Sequence, residues 1–260
     1  MQKSWFKFEN SVNDSTTVYV YDEISSFGIN AKDFVSELNS VKTATINLRL
    51  NSPGGDVFDG ITIHNALKRH PAKVHVQVDG LAASIASVIA MAGDQVRMAK
   101  NAFMMLHNAW CLTAGNAGDL RKLADTLEKF DTTIAKSYQD KTNAKESEIR
   151  KMMNDETWLS ADEAFSKGFC DSIGDPAEIK ARFDLAKFRN TPQAIMAMNI
   201  LPTPENERDL ETFLRDSGMS RKDALAAVSK LKIEAQRDSE DSDLQKLKDF
   251  FQGTLKPVFI

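Results

Sequence analysis

The sequence predicts an α/β fold carrying a charged, mostly helical C-terminal extension. Three observations lead there. Short runs rich in β-branched and aromatic residues alternate with helix-like runs through the first half of the chain. One stretch, Leu81 to Ala92, is small or apolar at nearly every position and reads as a helix buried on all sides. Residues 206–260 hold ten Lys or Arg and eleven Asp or Glu, so 21 of 55 are charged against 27% for the whole chain, too many for a large core.

The elements follow in order. Thr17 to Tyr21 and Ala44 to Leu50 alternate as strands, the second closed by Asn51-Ser52-Pro53-Gly54-Gly55. A helix over Ala31 to Leu38 lies between them, a second runs from the glycines to about Lys68, and Lys73 to Val78 returns to strand character. After the buried helix, Gln95 to Met98 and Phe103 to Leu106 read as short strands. Leu120, Leu123, Leu127, Phe130, Ile134 and Tyr138 recur every three or four residues, the stripe of a long helix packed on a core. Ser160-Ala161-Asp162-Glu163 forms a capping box that opens a short helix ending near Gly168.

At 260 residues the chain suits one main domain with an appendage. The division is 1–185 for the main domain, 186–205 for a linker containing Pro192, Pro202 and Pro204, and 206–260 for the charged segment, with helices expected at Glu207 to Asp216 and Ser220 to Gln236. Net charge of −4 and a pI near 5.7 leave no basic footprint for nucleic acid. No apolar run reaches the eighteen residues of a membrane span, and Met1 to Phe8 lacks a signal-peptide pattern. Cys111 and Cys170 stand far apart without metal-type spacing, so both read as small buried hydrophobes in a reducing cytoplasm.

Hydrolysis of an amide by a hydroxyl needs an oxygen nucleophile, a base and donors for the oxyanion. Ser84 opens the buried helix in Gly80-Leu81-Ala82-Ala83-Ser84-Ile85-Ala86, where backbone donors and the helix dipole face outward, although a serine there is most simply a cap. The tandem glycines Gly54 and Gly55 permit conformations that turn amides toward a reacting oxygen. Among four histidines, His64, His70 and His75 read as packing or surface residues. His107 ends an apolar strand and can aim into a cleft. Several acids could orient it, and the residues alone do not choose among them.

These segments together resemble the Clp protease proteolytic-subunit family, serine peptidases of the ClpP/crotonase fold with a repeated β-β-α superhelical core. The resemblance rests on Asn51-Ser52-Pro53-Gly54-Gly55, Gly80 through Ala86, Met105-Leu106-His107, and Trp158 through Ala164 with Gly168 through Ile173. It covers roughly residues 17–175. It implies Ser84 as nucleophile, His107 as base, and the amides of Gly55 and Ile85 as oxyanion donors. Its acid position falls on Glu156, where the family carries Asp, with Asp155 as the alternative. Glu163 belongs to the helix cap.

Two departures stand out: Asn108-Ala109 follows His107 in place of the family's Gln-Pro, and the stretch before the first strand is short. With Glu156-Thr157-Trp158, the proline linker and the charged tail, the chain resembles the Clp-related head maturation proteases of tailed phages and prophages. That resemblance implies no cofactor or metal, a ring-forming homo-oligomer, polypeptide substrates such as scaffold and capsid proteins, and a site of action in the bacterial host cytoplasm inside the assembling prohead. The competing readings are a housekeeping Clp peptidase served by an ATP-driven unfoldase, a crotonase-fold acyl-CoA enzyme, and a capsid or scaffold component without activity.

Overall fold

The structure is a computed structural model and describes residues 6–10, 14–24, 30–177, 183, 185, 187–193, 195, 208, 211 and 220–237. Its first compact unit, residues 1–199, is built on one sheet. The strands are β1 (Phe6–Asn10), β2 (Ser15–Val20), β3 (Thr45–Ser52), β4 (Lys73–Ala83), β5 (Gln95–Ala99), β6 (Phe103–Leu106), β7 (Thr157–Ser160) and β8 (Ser172–Gly174). The main path runs β1-β2-β3-β4-β5-β8, while β6 pairs with the far end of β4 and then with β7. Pairing is parallel throughout except for β1 with β2 and β6 with β7. This is the expected α/β architecture, with helices as the crossovers that parallel strands require.

Residue pattern explains the burial. In β2 and along most of β3, alternate residues such as Val18, Val20, Ile46, Leu48 and Leu50 are buried while their neighbours are partly exposed. β4 alternates only at first and is buried at every position from Val78 to Ala83. There β4 leaves β5 and runs between β3 and β6. The sequence places Leu81 to Ala83 in the buried helix; the structure keeps them in the strand, because their pairing with Phe103 to Met105 satisfies backbone groups that would otherwise be buried unpaired.

Helix α1 (Ala31–Ser40) starts at a capping box of Asn30 and Asp33, and α2 (Val57–Arg69) is capped by Asp56. Helix α3 (Ile85–Ala90) is buried throughout, as its composition predicts. After α4 (Ala117–Thr142) and α5 (Glu146–Asn154) comes α6 (Ala161–Ser166), where Ser160 Oγ accepts from Glu163 N at 3.3 Å and Glu163 Oε2 accepts from Ser160 N at 2.9 Å. The predicted capping box is therefore formed. Strands β1, β7 and β8 and helix α5 are elements that the sequence does not predict, although β7 and β8 lie within the motifs of the family resemblance.

The stripe on α4 departs from expectation. Ile134 and Tyr138 are buried in the core, but Leu120 is 46% exposed and Leu123, Leu127 and Phe130 are only partly covered. At 26 residues α4 is about 39 Å long; its second half, with Ile134, Ala135 and Tyr138 buried, packs against α3 and α5, while most of its first half is exposed. Cys170 is buried as expected, whereas Cys111 is exposed in the loop before α4.

The compact unit runs to Asn199, so the first part of the expected 186–205 linker is described with the catalytic domain: Leu185, Phe188 and Ile195 are buried with Leu81, Ala83 and Met105. In the second unit, residues 200–260, helix α7 (Arg221–Arg237) begins where Ser220 Oγ accepts from Asp223 N at 3.2 Å, and Arg221 lies 3.6 Å from Glu211. The helix expected over Glu207 to Asp216 falls almost wholly outside the described residues. No described helix is long and apolar enough to cross a membrane.

Candidate active site

Strand register brings the candidate residues together. Ala83 pairs with Met105 in parallel, which puts Ser84, the next residue of one chain, beside the end of β6 that carries His107. Leu106 pairs with Thr157 in the antiparallel direction, so one step further His107 faces Glu156. Ser52 of β3 pairs with Ala82, which sets the two glycines against Ser84. Three carboxyl ends of parallel strands thus meet the entrance of β7, the crevice where open α/β sheets bind ligands.

The glycine turn is fixed from both sides. Ser52 Oγ donates to Asp22 O at 2.7 Å and accepts from Gly54 N at 3.2 Å, and Asn51 Oδ1 accepts from Leu81 N at 3.1 Å. Gly54 has φ +93°, and a Cβ there would stand 2.6 Å from Ser84 Cβ; Gly55 has φ +144°, and a Cβ there would stand 1.9 Å from Ile24 O. Only glycine fits either place. Ile24 N donates to Gly54 O at 2.8 Å and Ile24 O accepts from Asp56 N at 2.8 Å. In such a bridge the amide of Gly55 itself points to the opposite side. Ile85 is the first residue of α3 and has no intrahelical acceptor.

Ser84 stands at the N-cap of α3, yet its side chain caps nothing. Its backbone, at φ 55° and ψ −131°, lies where non-glycine residues are strained, the conformation of a sharp strand-to-helix turn that thrusts a side chain outward. Neighbours hold it there: Ser84 N donates to Met105 O at 3.0 Å, and Ser84 O accepts from Ser87 N at 3.0 Å and Ser87 Oγ at 2.5 Å. Tyr138 OH, fully buried on α4, lies 2.7 Å from Ser87 Oγ. With the Ser87 proton committed to the carbonyl, Tyr138 is the donor in that pair. The Ser84 hydroxyl is left free and meets His107 Nε2 at 2.7 Å.

Burial holds the His107 imidazole pKa down to about 4; Glu156 acts in the opposite sense, while Arg189 and Lys187 reinforce the depression. The ring is therefore neutral near pH 7 and able to take the Ser84 proton. Glu156 is 3% exposed with φ 48°, and it carries its charge toward the ring without a hydrogen bond to it. Its Oε1 instead accepts from Asn190 N at 2.6 Å. Asp155 points away, half exposed and paired with Lys151. Of the two acids left open by the sequence, Glu156 is the one brought to the histidine.

The remaining candidates lie apart. His70 Nδ1 accepts from Ala72 N at 3.1 Å and closes a turn, His64 contacts Asn65 on α2, and His75 is exposed on β4. Glu163 is confined to its cap, where hydrogen bonds from Ser160 hold its carboxyl below the usual range. A cleft of roughly 400 Å³ opens over Ser84 and His107, walled by Ile24, Val57, Ala109, Trp110 and Phe188, with Lys187 and Glu23 at its side. Ala109 N donates to Asp131 Oδ1 at 2.8 Å, which ties the wall after His107 to α4. The sequence reading missed Lys187 to Asn190 altogether. The one available signal was an aromatic residue set between two cations, Lys187-Phe188-Arg189, inside a stretch otherwise read as linker.

Comparison with known proteins agrees with this geometry. The profile of the Clp protease family matches residues 1–177. The chain is 31% identical over 132 residues to an ATP-dependent Clp protease proteolytic subunit of Deinococcus radiodurans, covering 50% of this chain and 65% of that protein. It is 32% identical over 142 residues to the corresponding subunit of Streptococcus suis, covering 53% of this chain and 72% of that one. Among solved structures, a ClpP1 mutant from Listeria monocytogenes superposes with a TM-score of 0.54 at 27% identity, over 61% of this chain and 91% of that one. Strand order, motif placement and these matches converge on one assignment: the chain belongs to the Clp protease family, whose members are serine-type endopeptidases that form ring oligomers and act on polypeptides.

Proposed function

We propose that this chain is a serine endopeptidase of the head maturation kind, cutting scaffold and capsid proteins during prohead assembly in a bacterial host. The observation that carries the catalytic part is the 2.7 Å contact between Ser84 Oγ and His107 Nε2, beside amides of Gly55 and Ile85 that have no acceptor among the described residues. Ser84 attacks the scissile carbonyl as His107 takes its proton, and the two amides receive the oxyanion charge. His107, steadied by the Glu156 charge, then protonates the leaving amine. Water enters, gives its proton to His107 and releases the acyl group from Ser84. These steps use no metal or organic cofactor.

The maturation role draws on Glu156-Thr157-Trp158 and on the charged segment 206–260 set behind prolines, features expected of an enzyme committed to a structural partner. Co-expression with a major capsid or scaffold protein tests it. Defined cleavage products in mass spectra, lost in Ser84→Ala, are expected; intact partners beside an enzyme that cleaves peptides would refute it. The names of the relatives favour a second reading, ATP-dependent turnover. Degradation of a folded protein that appears only with an unfoldase and ATP would select that reading.

A further inference from the structure

The segment after the last strand makes four consecutive contacts with the site. Lys187 Nζ lies 2.6 Å from Glu23 Oε1, next to the Ile24 backbone that brackets the glycine turn. The Phe188 ring, buried, stands edge-on to the His107 imidazole at 5.6 Å and to Trp158 at 5.7 Å. Arg189 Nε approaches Glu156 Oε2 at 3.8 Å. Asn190 donates from its backbone to Glu156 Oε1 at 2.6 Å and from Nδ2 to Asp155 O at 2.8 Å. Leu185 and Ile195, one on each side, are buried with Leu81, Ala83 and Met105, whose strands carry Ser84 and His107.

Such an arrangement does more than cover apolar surface. Glu156 sits in a left-handed backbone conformation that a non-glycine residue holds only when its surroundings impose it. The Asn190 side-chain amide donates to the peptide before Glu156 and the Asn190 backbone N–H donates to the Glu156 carboxylate, which fixes both. A glutamate also has one more rotatable bond than an aspartate, so its carboxylate needs an external anchor to stay beside the ring. The Asn190 N–H is the single hydrogen bond that the Glu156 side chain accepts from the described residues. Removing the segment would open the carboxylate to water and screen its charge from the imidazole.

The geometry points to residues 187–190 as a strap that positions the triad: Asn190 and Arg189 hold Glu156 in place, and Phe188 fixes the plane of His107 while walling the substrate cleft. The inference rests on the catalytic roles given above for Ser84, His107 and Glu156. It makes the strap, which no motif marks, part of the working site and extends the functional unit past the last strand. These are positioning residues. They act through Glu156 and His107 and touch no reacting atom.

A double-mutant cycle in the full chain tests it, read as the rate of fluorophosphonate labelling of Ser84 alongside thermal unfolding. Asn190→Pro removes the amide donor and should slow labelling roughly 10²-fold, the loss expected when a catalytic group is misplaced by about 1 Å. Arg189→Gln and Asn190→Ala, which keep the backbone donor, should cost less and carry the same cycle if the proline variant does not fold. In a Glu156→Gln background each strap substitution should cost little further, because its effect passes through that carboxylate. Equal fold-losses in both backgrounds, or no loss in either, would overturn the strap. The acid range separates the contributions, since the charges facing His107 are Glu156 in the turn before β7 and Lys187 and Arg189 on the strap. Arg189→Gln removes a cation that depresses the ring and should move the acid limb of labelling to higher pH, a shift that a purely structural role would not produce. Labelling of Ser84→Ala, by contrast, would refute the catalytic reading itself and is scored separately.

Discussion

The two faces of the His107 ring are held by different means. Its Nε2 side meets Ser84 at 2.7 Å, and everything behind that contact belongs to the sheet: the Ala83 and Met105 pairing, the Ser84 N bond to Met105 O, and the Ser87 hydroxyl on the Ser84 carbonyl. Its other side faces Glu156, whose carboxylate is anchored by Asn190 from a segment outside the sheet. Cooperative strand pairing over-determines the nucleophile side. The acid side depends on one turn and one strap. Energetic sensitivity should follow: substitutions on the sheet side disturb fold and activity together, while those on the acid side disturb activity first.

The largest expected effect on the acid side comes from Glu156→Gln, which keeps shape and removes the charge that supports the imidazolium. Its turnover of a peptide substrate should fall about 10²- to 10⁴-fold with little change in melting temperature. Asp155→Asn should leave turnover near the parent, since that side chain is exposed and paired with Lys151. The reverse ranking would move the acid to Asp155. On the sheet side, Gly55→Ala forces a methyl to 1.9 Å from Ile24 O. The turn must shift and take its amide with it, so rate should drop about 10²- to 10³-fold, and melting temperature should fall as well. An unchanged rate would break the oxyanion assignment.

The pH dependence probes the ring itself. Burial lowers the His107 pKa from its ordinary 6.5 to about 4, so the unfolded chain binds a proton over this window that the folded chain refuses. Stability therefore rises with pH across the window and is lost as pH falls through it. Labelling by a fluorophosphonate should stay level from neutral pH down to roughly pH 5 and decline about tenfold per unit below the folded pKa. A decline with its midpoint already near pH 6.5 would place the ring in solvent. A stability effect belongs to Ser87→Ala, which leaves the buried Tyr138 hydroxyl without this partner and should cost about 1–3 kcal/mol in a denaturant titration. Tyr138→Phe in the same background should recover part of it.

This contrast also explains what could be read from the sequence. Ser84, His107, Gly55 and Ile85 are legible because each lies within a contiguous motif at a strand end, where local chemistry and strand register impose the geometry together. Glu156 was legible only through the family resemblance, with Asp155 as the alternative: the residues alone offered several acids, and which of two neighbours faces the ring depends on a left-handed turn that local composition does not carry. Phe188 and Asn190 were not legible at all. Asn190 acts through its backbone amide, a group every residue but proline possesses, and Phe188 through packing on residues more than twenty-five positions earlier. The α4 stripe shows the converse error, since heptad-like periodicity reports an apolar face without saying how much of it meets this chain's own core. Leu120 has that periodicity and is exposed.

The central claim is that Ser84 is the nucleophile activated by His107. Its most direct test is incubation with a fluorophosphonate, followed by peptide mass spectrometry of the adduct, for the parent chain, Ser84→Ala and His107→Ala. A single adduct on Ser84, absent in the first variant and strongly slowed in the second with both variants folded, is the result predicted. An adduct on another serine, or labelling of Ser84 that is indifferent to His107, would contradict it.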